Sequence, residues 1–331
     1  MLRLPKFTFR QPRTLRDAVA ILAGEGAGEG APVRAVAGGT DLWPNMKRRH
    51  QQASTVVSLL HVPELRGIRA NGDLRLGATT TLTEIVDSAV VRERFPALWQ
   101  AVSSISAPVL RNMGTIGGNV CLDTRCTYYN QNEEWRRAID YCMKESGKVC
   151  WVAPGSPRCW AISASDSAPI LCALGARVLL VSHTGEREVP IEALYRDDGI
   201  AYLTKRPDEL VTEIVVPGAS DTGHCRMGFE KLRRRDSIDF AVADVAAVVR
   251  TDPAGVVREA RIHLGAVASF PTAVPDAATA LLGAALSPDT IAAAARLARQ
   301  AATPMDNTDY QVAWRGAMVE QMTRRILARL A

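Results

Sequence analysis

What this chain lacks narrows its possible roles. No apolar run approaches the ~18 residues a membrane-crossing helix needs. The basic N-terminus, Met1 to Thr14, carries no apolar signal core, so the sequence reads as cytoplasmic. Aromatic residues make up only 5%, and basic residues are scattered apart from short runs such as Lys47-Arg48-Arg49 and Arg233-Arg234-Arg235. Without basic and aromatic residues interleaved, a nucleic-acid groove is not expected. The histidines, His50, His61, His183, His224 and His263, are dispersed and form no metal motif. There is no catalytic triad and no paired acid and base, so no catalytic residue is assigned and substrate chemistry is not expected on this chain. Neither GxGxxG nor a P-loop is present, which sets aside the usual Rossmann and Walker phosphate sites.

What is present suits a soluble α/β chain of two or three domains. The length is 331 residues, with 47% hydrophobic and 23% charged residues and a formal charge of +5. That is enough apolar material for a core without disulfides. In a reducing compartment, the seven cysteines therefore argue for metal ligation or buried thiols.

Periodicity outlines the elements. Thr14 to Ala23 has a helical apolar period with Thr14 as N-cap. Val33–Ala37, Val56–Leu60, Leu74–Ala78, Ala176–Val181 and Leu210–Val216 read as strands, and Leu82–Val90 and Phe95–Val102 as helices. Pro217-Gly218 and Asp221-Thr222-Gly223 mark a boundary. Beyond it come strands over Ala241–Val249 and Glu259–Val267, then helices over Asp276–Leu282, Asp289–Ala301 and Tyr310–Leu330.

Two loops combine glycine with small polar residues: Ala37-Gly38-Gly39-Thr40-Asp41-Leu42 and Gly114-Thr115-Ile116-Gly117-Gly118-Asn119. Glycine allows close backbone approach, and such loops can aim several amides at one anion. Each could equally be a tight turn; as a pair they could hold a pyrophosphate from both sides. Between them and Asp166 lies a stretch of different character. Cys121, Cys126, Cys142, Cys150 and Cys159 fall within 39 residues, spaced C-x4-C-x15-C-x7-C-x8-C. Zinc and iron–sulfur both take four sulfur ligands. Only the first gap is as short as structural zinc sites favour, and free thiols have no reason to cluster. Spacing leaves open which four of the five would ligate. Trp135, Trp151, Trp160, Tyr128, Tyr129 and Tyr141 could shield such a centre or be plain core.

These residues resemble a known family. Ala37 to Leu42, Thr115 to Asn119 and Ser165-Asp166-Ser167-Ala168-Pro169 look like the three FAD motifs of the xanthine dehydrogenase/CO dehydrogenase medium subunits. Phe229-Glu230-Lys231 followed by Arg234-Arg235 resembles the start of their C-terminal domain. Most members run almost directly from the second motif to the third. The insertion here, Cys121 to Trp135 followed by Cys142, Cys150 and Cys159, is similar to that of the flavin subunits of 4-hydroxybenzoyl-CoA reductases.

The resemblance implies an α/β (α+β) fold with a two-subdomain FAD-binding domain of the PCMH/vanillyl-alcohol-oxidase-like type. That domain would span residues 1–218, split near 58, with an iron–sulfur insertion at about 122–162. A small α/β C-terminal domain would span 219–331. Ala35, Val36, Ala37, Gly38, Gly39, Thr40, Asp41, Leu42, Thr115, Gly117, Gly118 and Asn119 would line the FAD pyrophosphate. Asp166 would hold the ribose of the adenosine half, and Lys231 would lie near the flavin ring. Read from the residues alone, Asp166 could merely cap a helix near Ser167, and Lys231 could be a solvated surface charge. Cys126, Cys142, Cys150 and Cys159 would ligate a [4Fe–4S] cluster, leaving Cys121 spare.

The implied partners are a molybdopterin-binding large subunit and a [2Fe–2S] small subunit in a dimer of heterotrimers, with ferredoxin as electron donor. The implied activity is reductive dehydroxylation of 4-hydroxybenzoyl-CoA to benzoyl-CoA in anaerobic aromatic degradation, with the substrate chemistry on a partner. Two rival readings stand beside it: a flavin subunit of another molybdenum hydroxylase acting on an aromatic or N-heterocyclic substrate, and a zinc-stabilised interaction module.

Overall fold

The computed structural model describes residues 2–25, 32–218 and 224–331. Three sheets organise them. The first holds β1 (Thr8–Arg10), β2 (Val33–Val36) and β3 (Thr55–Ser58), all parallel, in the order β1-β3-β2. The helix Leu15–Glu25 covers it. Its Ala18, Val19 and Leu22 share one helical face and pack with Val57, Leu59 and Leu65. Thr14 caps this helix, its Oγ1 accepting from the Asp17 amide at 3.1 Å.

The second sheet contains β4 (Ile68–Arg69), β5 (Leu74–Gly77), β6 (Arg177–Ser182), β7 (Gly185–Pro190) and β8 (Leu210–Val216). Its order is β4-β5-β8-β6-β7 and every pairing is antiparallel. β8 lies at the centre with all seven residues buried. Between β5 and β6 the chain leaves the sheet from residue 78 to 176, and that excursion carries the second glycine loop and the cysteine stretch.

The third sheet is β9 (Cys225–Leu232), β10 (Ala243–Thr251), β11 (Val257–Gly265) and β12 (Thr272–Ala273), antiparallel in the order β12-β11-β10-β9. Successive side chains of a strand point to opposite faces. Val245, Ala247 and Val249 of β10 enter one core with the helices Pro288–Ala301 and Val312–Leu330. Ala246 and Val248 enter the core of the second sheet with Phe95, Leu98 and Ile116. Both faces are therefore covered, which explains why β10 reads as an unbroken apolar run.

Several expected bounds shift for local reasons. The helix expected over Leu82–Val90 is two, Leu82–Asp87 and Ala89–Arg94, because Ser88 ends one and caps the other. The strand expected over Val56–Leu60 runs Thr55–Ser58, and Leu59 then begins a turn with Val62. The strands expected at Ala241–Val249 and Glu259–Val267 are Ala243–Thr251 and Val257–Gly265. The last helix starts at Val312 rather than Tyr310, whose φ of 69° is left-handed. The helix expected over Asp276–Leu282 is the shorter Pro275–Thr279. The proposed boundary at Asp221-Thr222-Gly223 lies outside the described residues. Among the described residues, no helix is long and apolar enough to cross a membrane.

One ion pair ties the second sheet's edge to its centre. Glu209, just before β8, accepts from Arg187 Nε at 2.7 Å and Nη2 at 2.9 Å. The Arg187 hydrogen bonds are the main cause holding the Glu209 carboxyl down at about 2. A depressed acid adds stability that is present above its unfolded value and lost as pH falls through its folded value. Glu209→Gln is therefore expected to melt below the native protein at neutral pH. The gap should close as pH approaches 2, which thermal melts in a pH series will measure.

Candidate functional site

β2 ends at Val36, and the chain turns through Ala37 to Asp41 into the helix Leu42–Lys47. Gly39 has a φ of 70°, and a Cβ there would lie 2.0 Å from Trp43 Nε1. A Cβ on Gly38 would lie 1.6 Å from the Met113 carbonyl oxygen, so the two glycine loops meet backbone to backbone. The amides of Gly38, Gly39, Thr40 and Asp41 meet no backbone carbonyl among the described residues. Such free, adjacent donors are what an anion nest requires.

The second loop leads into the helix Ile116–Val120. Thr115 caps it, its Oγ1 accepting from the Gly118 amide at 3.2 Å. A Cβ on Gly117 would come 2.6 Å from that of Ala78, so glycine lets this turn press on the end of β5. Asn119 joins the loop to the third motif: its Oδ1 accepts from Ser165 Oγ at 3.0 Å, Ser167 N at 3.2 Å and Ser167 Oγ at 2.6 Å.

These loops bound a cavity of 610 Å³, within the usual range for cofactor sites. Ala35 to Leu42, Thr115, Gly117, Gly118, Asn119 and Asp166 all line it. Lys231 does not; it stands behind Asp166, its Nζ 2.7 Å from Asp166 Oδ2 and 3.2 Å from the Ser104 carbonyl. With 3% of its side chain exposed it is not a solvated surface charge. Its ammonium is turned to Asp166 and the Ser104 carbonyl. Asp166 makes no side-chain cap bond to its helix, so the capping role does not hold either. Burial pushes its carboxyl up, opposed by Lys231. Its other oxygen, Oδ1, is buried and has no partner. A buried orphan acceptor on a cavity wall suits a hydroxyl donor from a ligand.

At the opposite end, Asp41 is bound by Arg125 and by Asn45 Nδ2 at 2.9 Å. Asp123, also on the wall, accepts from Gln51 Nε2 at 2.7 Å and from Lys144 Nζ at 2.8 Å. Lys144 lies in the cysteine stretch and also donates to Thr124 Oγ1 and the Gly199 carbonyl, at 2.8 and 2.6 Å. The stretch is thus fastened to the cavity wall by buried ion pairs.

Cys126, Cys142, Cys150 and Cys159 are all buried free thiols, and Cys126, Cys142 and Cys159 pack in one cluster with Tyr129. The Ala161 amide donates to Cys159 Sγ at 3.4 Å, and the backbone at Tyr128 and Tyr129 beside Cys126, and at Lys144 and Glu145 beside Cys142, opposes the effect of burial on those thiols. Burial raises the Cys126 thiol to about 12 and the Cys159 thiol to about 11. Two consecutive left-handed residues, Asp140 (φ 59°) and Tyr141 (φ 57°), turn the chain sharply into Cys142. Among the described residues, however, no three of His, Cys, Asp and Glu are grouped to hold a metal ion. Neither the [4Fe–4S] ligand set that the resemblance implies nor the rival zinc site is gathered into such a group among the described residues. Cys121, the spare, lies on the cavity wall instead.

The cavity also holds Arg34, Arg111 and Lys205, with Tyr202 and Phe240. No motif flags these cations in the sequence, since each comes alone from a separate segment.

Comparison with known proteins fits this geometry. Residues 5–219 match the family described as the FAD binding domain in molybdopterin dehydrogenase. Residues 228–330 match the CO dehydrogenase flavoprotein C-terminal domain. The carbon monoxide dehydrogenase medium chain of Hydrogenophaga pseudoflava is 30% identical over 333 residues, covering 99% of both chains. The nicotinate dehydrogenase FAD-subunit of Eubacterium barkeri is 26% identical, covering 87% of this chain and 83% of its own. The solved carbon monoxide dehydrogenase of H. pseudoflava lacking the Mo-pyranopterin moiety superposes with a TM-score of 0.79 at 28% identity, over 98% of this chain and 97% of that one. The mixed α/β flavin-domain fold with its C-terminal domain is that of the CO dehydrogenase medium chains.

Proposed function

The chain belongs to the family of FAD-binding domains of molybdopterin dehydrogenases, as a flavin subunit of a molybdenum-hydroxylase-type oxidoreductase, and from that premise we propose that it is the electron-transferring FAD and iron–sulfur subunit of a 4-hydroxybenzoyl-CoA reductase. The carrying observation is the cysteine stretch: four buried thiols, fastened to the flavin cavity by Lys144 and Arg125. A [4Fe–4S] cube spreads its four thiolates wider than a single ion does, and amide-to-sulfur hydrogen bonds tune its potential. What supports this reading is the gathering of four buried thiols in one stretch, with the Ala161 amide on the Cys159 sulfur.

In this reading the amides of Gly38 to Asp41 and the Thr115–Gly118 turn hold the FAD pyrophosphate. Asp166 Oδ1 accepts from a ribose hydroxyl, and the cavity's cations, Arg34, Arg111 and Lys205, balance the phosphate charge. Bound FAD supplies exchange between one-electron and two-electron carriers. Cys126, Cys142, Cys150 and Cys159 would hold the cluster, which would supply single electrons at low potential. Removing a phenolic hydroxyl reductively needs such a low-potential entry, with ferredoxin as donor. Molybdopterin and [2Fe–2S] centres belong to a large and a small partner subunit in a dimer of heterotrimers. A second reading, a hydroxylase acting on another aromatic or N-heterocyclic substrate, draws on the relatives named above, which are carbon monoxide and nicotinate dehydrogenases.

Iron, sulfide and flavin analysis of the anaerobically purified chain separates the two. About four irons and four sulfides per FAD support the reductase. FAD without iron leaves the flavoprotein standing and removes the case for the reductase.

A further inference from the structure

Behind Asp166 the structure places a second buried carboxyl that the cofactor reading does not use. Asp244 lies directly across from Lys231 in the β9–β10 pairing and is 1% exposed. Lys231 is committed to Asp166 and to the Ser104 carbonyl. Asp244 Oδ1 is buried without a partner. The remaining charged groups nearby are already engaged. Arg233 donates to the Ser104 carbonyl. Arg315, from the long C-terminal helix, donates to the carbonyls of Val242, Met305 and Ala266. His263 of β11 pairs with Glu192 at 3.0 Å. From β11, Gly265 faces Asp244; a Cβ there would lie 2.1 Å from Asp244 Oδ1, so glycine makes the room this carboxyl occupies. Two buried carboxyls thus stand by one ammonium that is ion-paired with Asp166 alone, and two like charges around one cation in a low-dielectric site do not both ionise.

We propose that Asp244 is a neutral, proton-bearing carboxyl and a positioning residue: by leaving Lys231 wholly to Asp166, it keeps Asp166 ionised with Oδ1 free for the cofactor and keeps the trio at zero net charge. This rests on the FAD reading for its consequence, though not for the protonation state itself. Burial, and next the nearby Asp166, push the Asp244 carboxyl well up, with Lys231 and the Gly265 amide opposing. An ionised Asp244 would add a negative charge behind a site that takes a pyrophosphate, so affinity for FAD must fall once it deprotonates.

The test uses the full chain in two measurements. Infrared spectra of the FAD-free protein are expected to show a protonated-carboxyl band that vanishes in Asp244→Asn. It should also vanish in Asp166→Asn, where Lys231 is released to pair with Asp244. Fluorescence titration with FAD is expected to give Asp244→Asn native affinity at neutral pH. At alkaline pH the native protein should lose about tenfold in affinity and the variant should not. No such band in the native protein, or an alkaline loss that persists in Asp244→Asn, overturns the proposal. So does a loss of tenfold or more in that variant at neutral pH. If the native chain binds no FAD but the band behaves as expected, the cofactor reading fails and the protonation state stands.

Discussion

Gly38→Ala yields a protein that purifies without flavin, its affinity for FAD lower by at least ~100-fold, or about 2.7 kcal/mol. The reason is steric. The added carbon would sit 1.6 Å from the Met113 carbonyl oxygen, and both partners are backbone, so neither can rotate away. The loops must part, and the amides of Gly38 to Asp41 then no longer converge with the Thr115–Gly118 turn. Gly24→Ala is the control: nothing lies within 4 Å of its Cβ, so flavin content should not change. Flavin absorbance per chain, with far-ultraviolet circular dichroism to confirm the fold, measures both. Full flavin occupancy in Gly38→Ala would remove the first loop from the binding site.

If the proposed cluster is held as the resemblance implies, serine at any one of Cys126, Cys142, Cys150 or Cys159 brings iron from about four per chain to near zero, while Cys121→Ser and Cys172→Ser leave it unchanged. The six thiols differ in what surrounds them. Cys172 is packed inside the helix Ser167–Ala173 in the core of the second sheet, and Cys121 faces the flavin cavity. The other four are buried in one turn-rich stretch. Burial holds the Cys126 and Cys159 thiols at about 12 and 11, and in the proposed cluster each would have to lose its proton to ligate iron. Iron retention should therefore weaken on acidification before the fold is lost. Iron analysis across the six variants decides the ligand set, and loss of iron in Cys121→Ser would reassign it.

How much of this was legible in the sequence depends on range. Strong local signals carried through: the Thr14 cap, the two glycine loops, and the Leu210–Val216 and Pro288–Ala301 periods. Four short or edge strands, β1, β4, β7 and β12, carry little alternation and were not readable, because their formation depends on pairing with a neighbour. β9 was missed although long; its residues 225–232 mix Arg226, Gly228, Glu230 and Lys231 into the run. Of the site, the glycine-loop residues and Asp166 line one cavity, whereas Arg34, Arg111 and Lys205 meet there only in three dimensions. The Lys231–Asp166 pair joins residues 65 apart, and no sequence pattern links them.

The order of strands in the second sheet has a consequence for synthesis on the ribosome. β5 is complete at residue 77, yet its neighbour β8 ends only at residue 216, and β6 pairs with β8 as well. At ~5–20 residues per second, β5 waits roughly 7–28 s for its partner. During that interval the glycine loops have emerged, but Ile200 to Leu203, Lys205 and Glu209 to Val211, which line the same cavity, have not. Flavin delivered before that side of the cavity is made therefore has an open route to the two loops.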